Sequence, residues 1–200
     1  MPRIPAVNRT ELDAAGQAAW DGIEAGRHKV QGPFSVLLHS PELSARISHL
    51  GSYVRYECGL PNRWRHLVTM IGARSLDCQY EFTVHAGLAA EEGIPRAVVE
   101  AIDHGRRPDP ALLQGVEPTL VEFAHQLIND HRVDDATFAR LKEAIGLREL
   151  ADVVGTIGYF AMIAHALNAF DVEVRDEHSP QLTMPRPNPS PGSRGSSGAR

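Results

Sequence analysis

Two hundred residues fit one domain with a sizeable core, and 42% apolar with 22% charged residues is the composition of an ordinary globular protein. The net charge of −5 argues against a general nucleic-acid binder, because binding phosphate needs a positive surface. No apolar run approaches the roughly 20 residues that span a bilayer, and the opening Met-Pro-Arg-Ile-Pro lacks the apolar segment of a signal peptide, so no membrane partner and a cytoplasmic location are expected.

The pattern is helical almost throughout, without the strict alternation of strands. Thr10 and Asp13 form a capping arrangement for a helix carrying Leu12, Trp20 and Ile23. Gly32-Pro33 opens a short segment, 34–39, and Ser40-Pro41-Glu42 starts a helix with Leu43, Ile47 and Leu50. After the punctuation of Gly59-Leu60-Pro61, a helix over 62–74 presents Trp64, Leu67, Val68 and Ile71. Asp77 is the expected cap of the next helix, which stops at Glu92-Gly93-Ile94-Pro95. Further helices are expected to about residue 104, then over 117–130, 134–145 and 147–170, the last apolar on more than one face. The chain therefore divides into an N-terminal helical arm (1–34), a helical domain (35–175) and a Pro/Ser/Gly tail (176–200) expected to be disordered.

Residues 78–85 read Cys-Gln-Tyr-Glu-Phe-Thr-Val-His. On a helix, Glu81 and His85 are four apart and share a face, and Cys78 lies three residues before Glu81. A thiol, a carboxylate and an imidazole on one stripe suit acid–base chemistry, redox chemistry or metal binding. The chain has only two cysteines, Cys58 and Cys78, and a reducing compartment would keep both as thiols. No second Cys/His cluster accompanies the stripe, so no metal is expected.

The block 60–100 resembles the carboxymuconolactone decarboxylase family, which also contains the alkylhydroperoxidase D-like proteins. The matching residues are Leu-Pro-Asn-Arg-Trp-Arg-His-Leu-Val-Thr (60–69), Glu81-x-x-x-His85, 86–90 and Gly93, with a second match at Gly158-Tyr159-Phe160-Ala161 and Asn168-Ala169. The resemblance implies an all-α, single-domain bundle of about six to eight helices. It also implies homo-oligomers, commonly trimers or hexamers, with the site near a subunit interface and no cofactor. The peroxidase-like branch of the family uses Cys-x-x-Cys-x-x-x-His, with a Glu twelve residues before the first Cys. Here Cys78 and His85 match, Glu81 replaces the second Cys, and His66 stands at the upstream Glu position. A dithiol cycle needs two nearby sulfurs, so the resemblance favours the decarboxylase branch, which carries Glu-x-x-x-His.

The expected function is proton transfer on a small organic acid or lactone. His85, which titrates near neutrality when unperturbed, would move the proton, and Glu81 would orient it or act as the base itself. Arg65 could hold a substrate carboxylate or be tied in an ion pair. Cys78 could gain thiolate character at a helix N-terminus or be an inert core residue. His39 is a weaker acid–base candidate, and Tyr159 could place a hydroxyl in the pocket or pack in the core. The alternatives are a thiol-dependent peroxidase and a non-catalytic binding oligomer of the same fold.

Overall fold

Asp13 accepts the Gly16 amide and so caps α1 (Ala14–Arg27). A four-residue turn, α2 (Phe34–Leu37), leads to α3 (Pro41–Ser52), which starts with proline at its first position. The helix then widens into a π-helical turn, Tyr53–Glu57, which redirects the side chains that follow Ser52. Next come α4 (Asn62–Ser75), α5 (Gln79–Glu91), α6 (Arg96–Asp103) and α7 (Glu117–His125), which passes into a second π turn, Gln126–Asp130. The chain closes with α8 (Asp135–Phe170), capped by Asp134 through the Thr137 amide. This computed structural model describes residues 2–174, among which there is no strand. The tail expected over 176–200 lies outside the described residues.

Helix α4 is the centre of the bundle and packs against α5, α6, α7 and α8. Every residue from Arg65 to Ile71 is buried, so this helix is enclosed on all sides rather than amphipathic. Fully buried side chains such as Leu67, Phe82 and Ile163 each contribute about 1.5–3 kcal/mol by leaving water. Helix α1 packs on α3, and its Ile23 joins the same core.

The stop signal after α5 is realised as expected. Gly93 adopts φ 72°, and the amides of Gly93 and Ile94 reach back to the Ala90 and Ala89 carbonyls. The break expected between 145 and 147 also appears. Gly146 has φ 83° and ψ 174°, which divides α8 into two helical limbs.

Two readings are corrected. Asp77 does not cap α5; it sits in the left-handed region at φ 48°, and Cys78 takes the cap position. Only three residues connect Ser75 to Gln79, and the Cys78 amide must turn back to the Ala73 carbonyl at 2.8 Å. The second concerns apolar length. Helix α8 does contain a stretch long and apolar enough to cross a bilayer, but more than half of that stretch is buried inside the bundle, as in a core helix.

An ion pair ties three helices beside the centre. Arg63 on α4 meets Glu117 at the start of α7 through two bonds, Nε to Oε1 at 2.8 Å and Nη2 to Oε2 at 3.1 Å. Arg63 Nη1 also donates to the Glu92 carbonyl at the end of α5.

Candidate functional site

The helical spacing of Glu81 and His85 puts both on the buried side of α5, facing α4. Glu81 Oε2 lies 3.3 Å from His85 Nε2. The other ring nitrogen of His85, Nδ1, lies 3.1 Å from Nδ1 of His66 on α4. The His85 ring also stands edge-on to Phe160 of α8, with centroids 4.6 Å apart. Carboxylate, imidazole and imidazole thus stand in one row of close polar contacts.

In the sequence His66 stands out only as a departure from the peroxidase pattern. Its position was the signal, because the resemblance assigns a functional side chain to that place. Burial, aided by the nearby His85 ring and the positive charges of Arg65 and Arg55, pushes His66 down to about 3. Burial also lowers His85, outweighing the bond and charge of Glu81 that favour its protonated form. Both rings are therefore neutral at pH 7.

A stability prediction follows from the His66 shift. Its folded value, about 3, lies below the ordinary 6.5. Between those pH values the unfolded chain binds a proton that the folded chain refuses. Stability is therefore full above about pH 6.5 and falls as pH drops toward 3, by about 1.4 kcal/mol per pH unit for one such group. Urea midpoints at pH 7.5 and pH 5 should show this loss, and His66→Gln should flatten it. An unchanged slope in His66→Gln would contradict the assignment.

Glu81 and His85 open onto a cavity of about 610 Å³. Its wall carries three cations, Arg27, Lys29 and Arg55, and the aromatic residues Phe34, Tyr56 and Tyr80. The Arg27 guanidinium stacks 4.3 Å above Phe34 and donates to the Tyr159 hydroxyl at 3.2 Å. Arg55, redirected by the π turn, lies 5.2 Å over Phe160. The Nε atoms of both arginines are buried and have no hydrogen-bond partner among the described residues. Burial and the Arg55 charge both lower the pKa of Arg27, so an anion between these guanidiniums would relieve a repulsion. Gly51 makes this wall possible, because a Cβ there would collide with the Tyr159 hydroxyl and the Arg27 guanidinium.

The remaining sequence candidates fall outside the cavity lining. Arg65 is buried and donates to Asn62 Oδ1 and the Leu60 carbonyl. The arginines on the cavity wall are Arg27 and Arg55, which come from α1 and the π turn. Tyr159 reaches the wall only through Arg27. His39 is exposed and bonds the Pro5 carbonyl at 2.9 Å. Among the described residues no group of three or more His, Cys, Asp and Glu is placed to share a metal ion.

Cys78 is fully buried and absent from the cavity wall. Burial pushes its thiol up to about 12, overcoming the backbone amides of Glu81 and Tyr80 that pull the other way. Of the two readings of Cys78, this burial favours the inert core residue over the thiolate. Cys58 is buried too, and its thiol donates to the Val54 carbonyl. Neither thiol should react with a disulfide reagent in the native protein, and both should react after unfolding. Prompt native labelling of Cys78 would contradict this burial.

No protein-family model matches the sequence, and no curated protein matches it. Solved structures do resemble it. The chain is similar to an alkylhydroperoxidase AhpD core, a peroxidase-related protein from Ralstonia eutropha JMP134. The TM-score is 0.70 at 17% identity, over 88% of this chain and 93% of that one. It is also similar to the apo debrominase Bmp8, with TM-score 0.66 at 15% identity over 86% and 91% of the two chains. A cysteine-to-alanine variant of that debrominase, in complex with 2,3,4-tribromopyrrole, gives TM-score 0.65 at 14% identity over 86% and 90%. The fold is therefore the all-α fold of the alkylhydroperoxidase D-like proteins.

Proposed function

We propose that the protein is a thiol-independent, carboxymuconolactone decarboxylase-like enzyme that moves a proton on a small organic acid or lactone. One observation carries this reading: a carboxylate–imidazole pair opens onto a cationic cavity while Cys78 is sealed in the core. Both ring nitrogens of His85 face protein partners, so proton exchange with the ligand falls to Glu81, and His85 positions it. This reverses the emphasis that spacing alone suggested.

In this reading Arg27 and Arg55 hold the substrate anion between them. When a carboxylate leaves as carbon dioxide, the electron pair of the broken C–C bond stays on the substrate as an enolate. The two guanidiniums stabilise that charge in a site partly screened from water, and a proton that Glu81 takes up from solvent and passes to the enolate carbon quenches it. Phe34, Tyr56 and Tyr80 suit a planar ring. The debrominase variant in complex with a tribromopyrrole is consistent with a small ring in this fold.

A homo-oligomer remains part of the proposal, and Leu147 (65% exposed) and Val154 (45%) offer apolar surface on α8. The test is a screen of γ-lactones and β-keto acids with wild type, His85→Ala and Arg55→Ala. His85→Ala should lose most turnover, and Arg55→Ala should raise KM about tenfold, as loss of one charged hydrogen bond does. Unchanged turnover in His85→Ala would sink the proposal.

A further inference from the structure

We infer that His66 is a positioning residue that locks His85 in the tautomer with its proton on Nε2, directed at Glu81. The inference rests on the reading of Glu81 and His85 as the reacting pair and adds the residue that sets its protonation pattern.

Donors and acceptors decide the tautomers. Two ring nitrogens 3.1 Å apart attract only when one carries a hydrogen and the other a lone pair. Each ring is neutral and has one N–H to place. A carboxylate at Glu81 can only accept, so it favours the His85 tautomer that presents Nε2–H, across 3.3 Å. Nδ1 of His85 is then a bare acceptor, and His66 must supply the hydrogen from its own Nδ1. The proton of His66 is fixed in turn, leaving its Nε2 bare.

Without the His66 donor only the Glu81 contact, at 3.3 Å, would favour the hydrogen on Nε2, so the preference would weaken and the Nδ1–H form of His85 would gain population. Geometry supports the lock from the other sides. Phe160 of α8 holds the His85 ring edge-on. Arg65 on α4 and Arg55 on the π turn add positive charge, which disfavours a second proton on either ring. Glu81 is the charged group that favours one. The upstream glutamate of the peroxidase pattern could not perform this task as an ionised group, because a carboxylate donates no hydrogen.

The test is ring-nitrogen NMR of protein labelled with 15N-histidine at pH 7, with signals assigned by His66→Gln and His85→Ala. In wild type His85 should show Nε2 protonated and Nδ1 bare, and His66 the opposite. His66→Gln, whose amide still donates, should keep His85 in that form. His66→Leu should shift a measurable fraction of His85 to the Nδ1–H form. A wild-type His85 protonated on Nδ1 would overturn the inference, as would a His66→Leu protein with an unshifted His85. The readout needs no substrate. The expected tautomers in a protein that turns over no lactone or keto acid would uphold the lock and fail only the functional reading.

Discussion

Glu81→Gln is expected to lower kcat on any lactone or keto acid the protein accepts by two to four orders of magnitude. That is the usual range for removing a positioned acid–base group, and corresponds to about 3–5 kcal/mol of barrier. The substitution nearly preserves shape and leaves an amide facing His85 Nε2 at the same place. The proton acceptor is lost, because an amide takes no proton near neutral pH. The anion-holding wall of Arg27, Lys29 and Arg55 is untouched, so KM should move little. A fall in kcat with stable KM marks a group that acts in the transition state. Steady-state kinetics beside a thermal melt would separate this from unfolding. A kcat within threefold of wild type would remove Glu81 from the chemistry.

Glu117→Ala is expected to destabilise the fold by about 3–5 kcal/mol, which is the cost of leaving a buried charge without its partner. Glu117 is 2% exposed and the Arg63 side chain 15%, so water cannot replace the lost carboxylate fully. The same carboxylate accepts the Gln114 amide at 2.8 Å, and that bond would be lost as well. Arg63 also holds the Glu92 carbonyl, so the loosened arginine would disturb the ends of both α4 and α5, the two helices that carry the candidate site. Urea unfolding checks the figure. Replacing both partners by apolar residues should recover part of the loss, since an apolar pair leaves no charge stranded. A loss below about 1 kcal/mol would show that the pair is solvated.

Much of the fold was legible because its signals are local. Gly93 and Gly146 punctuate the chain where only positive φ serves, and Pro41 and Asp134 mark helix starts within a residue. Glu81 and His85 were legible for the same reason, since one helical turn joins them. Cys78 leaves the Glu81/His85 stripe because a shared face assumes helical geometry at that residue. Cys78 is instead the extended cap, turned into the core by a three-residue connection. Arg27 and Arg55 carried no local signal. They reach the cavity from α1 and from a π turn, and no periodicity in Tyr53-Val-Arg-Tyr-Glu announces that turn. The contact between His66 and His85 bridges two helices, so spacing alone could not pair them.

Turnover by wild type, Cys78→Ser and Glu81→Gln should be compared across γ-lactones, β-keto acids and, with a dithiol present, peroxides. A lactone or keto acid should be consumed equally by wild type and Cys78→Ser and hardly at all by Glu81→Gln. Peroxide consumption that Cys78→Ser abolishes and Glu81→Gln retains would contradict it.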